Sequence, residues 1–193
     1  LTGILEAAKL THADLKGAKI GSTEVVYIPK KLEIPEKIFV DIKTAGSITL
    51  LLQTLLPIVI FSGKKVEITV LGGTDTKGAP TISYYQKVFF YYLEKMGIKG
   101  KLIVERYGFY PKGGGKVRVE IQPVEKIKPI ELTERGELEE IESFSIASKD
   151  LQKARVAERQ IEGLESIVGK TNRNFMYVDT LNPGTSLLAI AKY

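Results

Sequence analysis

The sequence predicts an α+β protein built on a β-α-β-α-β-β unit and followed by a shorter strand-helix-strand-strand segment. Three observations carry this. Apolar residues alternate with polar ones at Val66, Ile68 and Val70, and again at Leu102, Val104, Val117, Val119 and Ile121, which is the period of half-buried strands. Residues 45–61 and 82–96 form longer apolar stretches of helical length. After Leu132 the chain turns acidic, with Glu134, Glu137, Glu139, Glu140 and Glu142 close together. That shift predicts a domain boundary between 1–132 and 133–193.

Composition removes several classes of function. The chain has 193 residues, 44% of them hydrophobic and 26% charged, an ordinary globular balance. It has no cysteine, so disulfides and thiolate metal sites are excluded. One histidine, His12, cannot build a histidine-based zinc site. The net charge of +5 is uneven: residues 1–130 carry 20 Lys/Arg against 12 Asp/Glu, and residues 131–193 carry 8 against 11. The basic part is where a polyanion would be drawn. The apolar run 48–61 is broken by Thr49, Gln53, Thr54 and Pro57, too short and too polar for a membrane span. No basic leader is visible, so a cytoplasmic protein is expected.

In order, residues 1–15 read as a helix with Ile4, Leu5, Ala8 and Leu15 on one face and Gly17 as its stop. His12 lies within it and has no evident catalytic partner. Residues 19–28 read as extended, with a turn at Gly21-Ser22, and residues 37–42 as a short strand. Gly46 and Ser47 open the helix 45–61. Its unpaired N–H groups make an anion site available, while Ser47 equally suits a plain cap. Gln53, an amide on an apolar helix, is either tied to backbone or free for a ligand.

The strand 65–70 runs into Gly72-Gly73-Thr74-Asp75-Thr76-Lys77-Gly78-Ala79-Pro80, a long loop between strand and helix, where α/β proteins place ligands. Asp75 fits either a turn or a metal. The helix 82–96 carries Tyr84, Tyr85, Phe89, Phe90, Tyr91 and Tyr92, suited to core packing or to base stacking. Residues 126–132 read as a further strand, and 1–61 as a weaker earlier copy of 65–132. Beyond the boundary, Phe144 and Ile146 mark a strand. Residues 151–168 form an amphipathic helix with Val156, Ile161, Leu164 and Val168 inward, and 175–178 and 186–191 are strands.

The centre of the pattern is Arg106-Tyr107-Gly108-Phe109-Tyr110-Pro111-Lys112-Gly113-Gly114-Gly115. It joins two strands rather than a strand and a helix, and it lacks the Gly-Lys-Ser/Thr ending of a Walker loop. It is either a wide turn or a side-chain-free loop whose N–H groups meet an anion.

Gly-Phe-Tyr-Pro-Lys-Gly-Gly-Gly resembles the signature loop of the RNA 3′-terminal phosphate cyclases: a Gly, two variable residues, Pro, one residue and three Gly. Thr44–Thr54, Gly72-Gly73-Thr74-Asp75 with Ala79-Pro80, and Gly21-Ser22-Thr23-Glu24 resemble the same family. One departure is Tyr107, where the family usually has Arg or His; Arg106 lies one place too early. The resemblance implies a large domain of repeated β-α-β-α-β-β units and a small α/β insert domain, of which 133–193 would be an incomplete part.

It further implies ATP-dependent conversion of an RNA 3′-phosphate to a 2′,3′-cyclic phosphate. A histidine nucleophile takes AMP from ATP, the AMP passes to the RNA 3′-phosphate, and the neighbouring 2′-hydroxyl displaces it. Mg²⁺ or another divalent cation would accompany the triphosphate. By resemblance Gln53 and Pro80 contact ATP, and Ser47, Asp75, Lys112, Gly113, Gly114 and Gly115 are candidates for phosphate or RNA contacts. The family's opening segment would precede Leu1 and its nucleophilic histidine would follow Tyr193, so no catalytic residue is expected in this chain. Alone it is expected to be inactive, and to act with a complementary chain or a second copy. The alternative is a non-catalytic cyclase-like factor in ribosomal RNA processing, which need not bind ATP.

Overall fold

In the computed structural model, which describes residues Leu1–Tyr193, the first element is α1 (Thr2–Thr11). It ends four residues earlier than expected, because His12 adopts a left-handed conformation (φ 46°) that closes the helix. The buried side chains are therefore Ala7 and Leu10, while Leu15 belongs to β1 (Asp14–Lys16). β1 pairs with β2 (Val26–Ile28) in a small antiparallel hairpin, so only the end of the expected 19–28 stretch is strand.

The next six elements build the predicted unit. They are β3 (Lys37–Asp41), α2 (Ile48–Val59), β4 (Val66–Gly72), a helix over 82–95, β5 (Gly100–Arg106) and β6 (Gly115–Ile121). The sheet order is β3-β4-β6-β5, with β3 and β4 parallel and the other pairs antiparallel. β3 and α2, expected in an earlier copy of the unit, are its first strand and first helix.

Alternation decides what the sheet buries. Val66, Ile68, Val70, Val117, Val119 and Ile121 are all 0% exposed and meet Ile48, Leu52, Leu55 and Val59 of α2. The opposite face stays open and carries an ion-pair lattice. Arg118 reaches Glu67, Glu105 and Glu120, Lys65 reaches Glu120, and Lys116 reaches Glu105. A bulge between Val104 and Arg106 lets Glu105 serve both Lys116 and Arg118.

The helix over 82–95 has three parts: α3 (Ile82–Tyr84), a π-turn (Tyr85–Phe89) and α4 (Phe90–Lys95). Its aromatic residues divide. Tyr85, Phe89 and Phe90 pack inward, with the Tyr85 and Phe89 rings stacked at 4.4 Å. Tyr84, Tyr91 and Tyr92 are exposed.

Residues 122–139 are irregular, so the strand expected at 126–132 is absent. Pro123 and Pro129 interrupt the segment, and a proline cannot donate to a ladder.

β7 (Glu140–Ser148) then centres a three-stranded sheet, parallel to β8 (Asn172–Val178) and antiparallel to β9 (Thr185–Lys192). α5 (Val156–Val168) covers one face and starts later than expected, after a 3₁₀ turn at Lys149–Leu151. Its buried residues are Ala157 and Ile161, whereas Val168 is exposed.

The seam beneath α5 is polar: Ser143 bonds Thr171, and Ser145 donates to Gln160. The Glu165 carboxylate accepts from the Arg173 guanidinium and, at 3.0 Å each, from the backbone N–H and hydroxyl of Thr171. These partners, Arg173 foremost, lower its pKa to about 2. A carboxyl depressed in the folded state stabilises at neutral pH and loses that contribution as acid titrates it. Stability is expected to fall as pH drops from about 4.5 towards about 2, and Glu165→Gln is expected to flatten part of that fall. Thermal unfolding followed at pH 7, 4 and 3 checks this.

No helix is long and apolar enough to cross a membrane.

Candidate functional site

Three glycine-bearing segments meet at the C-terminal ends of the parallel strands β3 and β4, and the reason is backbone contact. The Gly73 N–H donates to Gly46 O at 2.9 Å, and the Ile48 N–H donates to Gly73 O at 3.0 Å. This stitches the loop after β4 to the start of α2. On the other side, the Thr74 N–H donates to Gly108 O (2.9 Å) and the Gly108 N–H returns to Thr74 Oγ1 (3.1 Å). The third segment, the β5–β6 loop, lies against Thr44 and Ala45. Gly113 has φ 72°, and a Cβ there would sit 2.8 Å from Ala45 Cα. The glycines are thus places where two backbones touch.

Two N–H groups of the signature loop already have partners within the protein. The Gly113 N–H is occupied by Phe109 O (2.8 Å) and the Lys112 N–H by Asn182 Oδ1 (3.1 Å). Arg106 donates its Nε–H to Gly114 O, closing the mouth of the loop from the position that seemed one place too early. Ser47 is a cap: its Oγ accepts from the Leu50 N–H at 3.2 Å and lies 2.8 Å from Thr49 Oγ1. The positive end of α2 nevertheless faces this cluster.

Charge is supplied by lysines. Lys43, Lys77 and Lys112 are exposed, and none is in an ion pair, unlike the lysines of the sheet face. Each lies one residue from a contact on Thr44–Ala45: Lys43 precedes Thr44, Lys77 follows Thr76 (whose hydroxyl donates to Ala45 O at 3.0 Å), and Lys112 precedes Gly113. Of these only Lys112 was singled out by its motif. The other two had no signal, because the convergence is three-dimensional.

Gln53 and Pro80 occupy one side of α2. The Thr49 hydroxyl donates to Pro80 O at 2.8 Å, and Gln53 lies one turn further on, where i and i+4 residues are neighbours. Gln53 is exposed, so its amide has no need of an internal partner. Pro57 removes the helical donor that its carbonyl would otherwise receive.

Asp75 is held differently. Thr74 Oγ1 donates to its Oδ2 at 2.8 Å, while Oδ1 is buried without a partner. Burial raises its pKa, and the Thr74 and Ser186 hydroxyls oppose the rise. Its charge, after burial, also pushes up the Tyr107 phenol, against a hydrogen bond from Ser83. No group of three Asp, Glu or His side chains surrounds a common point, so the carboxylates near the cluster, Asp41 and Asp75, do not form a protein-built metal cage.

The β8–β9 loop completes the wall. Leu181 packs on Gly114, and the Phe109 ring lies against Gly184. Tyr110, beside them, is 77% exposed. His12 is remote in character as well as sequence: it is a surface residue with Nε2 3.3 Å from Glu33 Oε2.

A sheet with loops gathered at the C-terminal ends of its parallel strands belongs to the class of α/β architectures that place ligands at that edge. Comparison with known proteins narrows the class. The family model described as RNA 3′-terminal phosphate cyclase matches residues 1–191, and the chain belongs to that family. It is 41% identical to the RNA 3′-terminal phosphate cyclase of Thermococcus kodakarensis over 100% of this chain and 56% of the relative. It is 38% identical to that of Koribacter versatilis, over 97% of this chain and 53% of the relative. With the Pyrobaculum aerophilum protein the identity is 39%, over 97% and 55%. The chain thus spans about half the length of these curated relatives.

Proposed function

We propose that this chain forms part of an ATP-dependent RNA 3′-terminal phosphate cyclase, which turns a 3′-phosphate into a 2′,3′-cyclic phosphate. The observation that supports it is the convergence of Lys43, Lys77 and Lys112 on the Thr44–Ala45 segment at the start of α2. In this reading the lysines and the positive end of α2 hold the anionic ends of ATP and RNA. Gln53 and Pro80, on the adjoining side of α2, hold the nucleotide base. ATP supplies the activated group that makes the phosphate oxygen a good leaving group. Mg²⁺ arrives with the triphosphate rather than in a cage of carboxylates. Residues 133–193 belong, in the same reading, to the insert domain, and Leu181, Asn182 and Gly184 fix the signature loop from that side.

Anisotropy with RNA ending in a 3′-phosphate or a 3′-hydroxyl tests the assignment. The phosphate end is expected to bind more tightly, and Lys43→Ala and Lys112→Ala are each expected to lower the salt dependence by about one unit of slope. Equal binding of the two ends would overturn it. ATP binding that Gln53→Ala weakens separates the cyclase reading from a ribosomal RNA processing factor that binds no ATP. With Mg²⁺ and ATP labelled at the α-phosphate, the 193-residue chain is expected to take no acid-labile label. Label that vanishes in His12→Ala would make His12 the nucleophile.

A further inference from the structure

The exposed aromatic residues of the helix over 82–95 do not contribute to the core, and nothing in the loop cluster uses them. Tyr91 is 51% exposed and Tyr84 40%. The Lys95 ammonium lies 5.2 Å from the Tyr91 ring centroid, and the Lys87 ammonium lies 4.0 Å from the Phe144 ring centroid on the neighbouring sheet. Lys87 and Lys95 are exposed and in no ion pair. Lys87, Tyr91 and Lys95 stand four residues apart in succession, so they follow one side of the helix. The π-turn at Tyr85–Phe89 carries Lys87 at the start of this line, a distortion often found at functional positions.

The line also has a beginning. α3 starts at the Thr81 cap, one residue after Pro80, directly from the loop that carries Asp75 and Lys77. From Ile82 to Lys95 it runs about 20 Å, at about 1.5 Å per residue. Alternating cations and aromatic faces suit a single strand, whose phosphates meet the lysines while its bases stack on the rings. Because the bases are recognised by their faces, such a track is indifferent to sequence.

We infer that the Tyr84–Lys87–Tyr91–Lys95 side of this helix is a track for single-stranded RNA, guiding the nucleotides that precede the 3′ end held at the loop cluster. The inference rests on the cyclase reading for the identity of the end, but its own test does not depend on that end.

The probes are a 12-nucleotide oligouridylate with a 5′ fluorophore, ending in a 3′-phosphate or a 3′-hydroxyl, and a two-nucleotide RNA with a 3′-phosphate as competitor. Tyr91→Ala is expected to weaken the 12-mer about tenfold. The Lys87→Gln/Lys95→Gln double variant is expected to lower the salt slope by about 1.4. Both losses are expected whichever group ends the RNA, and the two-nucleotide competitor is expected to bind the variants as it binds the parent. If the two ends bind alike but the losses appear, the cyclase reading fails and the track stands. If the 12-mer binds the parent and the variants equally, or does not bind the parent, the track is wrong. Unchanged RNA affinity with altered self-association of Tyr91→Ala would make this side a protein contact and equally overturn the inference. The exposed position of Tyr91 lets the variant fold, which a thermal melt verifies.

Discussion

Phe109→Ala is expected to destabilise the protein by about 4 kcal/mol, in the range for deleting a buried aromatic ring. Phe109 is 4% exposed although it lies in a loop between two strands. Its side chain fits so tightly over Gly184 that a Cβ on that glycine would lie 2.6 Å from the Phe109 Cβ. The ring therefore holds the β8–β9 loop against the signature loop, and its loss leaves a cavity between the two sheets. At about 2–4 °C per kcal/mol for a chain of this size, the melting temperature should fall by about 10 °C. Proteolysis within residues 181–184 should accelerate in parallel. A fall of less than about 2 °C would mean that the ring does not hold the two loops together.

Gly108→Ala is expected to cost about 3 kcal/mol by a different route. An added Cβ would stand 2.5 Å from Gly113 O and 2.7 Å from Gly113 C. Both atoms are backbone, so no side chain can turn aside. The loop must shift, and the shift breaks the reciprocal bonds between Gly108 and Thr74 that hold the loop after β4. Chemical denaturation gives the cost. Anisotropy with the 3′-phosphate RNA gives the effect on the site, where the variant should bind more weakly even at temperatures at which it remains folded. Unchanged affinity would show that the seam does not position the lysines.

The sheet was legible because alternation is a local signal: Val66, Ile68 and Val70 name their buried face without reference to any other element. The repeat was misplaced for the complementary reason. Which sheet β3 joins depends on its parallel partner β4, whose pairing lies across an intervening helix. The glycines were legible as important but not as to purpose. A glycine that allows an unusual φ and one that merely lacks a Cβ look the same in sequence; Gly113 is both and Gly108 is the second. Ser47 suits both a cap and a ligand contact in sequence, and in the structure its Oγ accepts the capping bond from the Leu50 N–H. Lys43, Lys77 and Asn182 carried no signal, because the segments they lie beside are distant in the chain.

The polar seam beneath α5 bears on how this chain unfolds. Hydroxyls, an amide and a carboxylate fill much of the space where aliphatic side chains join α2 to the four-stranded sheet. Hydrogen bonds need alignment and are readily exchanged for bonds to water, so each adds only modest net stability. The three-stranded layer is expected to open as a separate unit of lower stability while β3 to β6 stay closed, the Phe109–Gly184 contact setting how often. Faster amide hydrogen exchange in residues 140–192 than in 37–121 checks this.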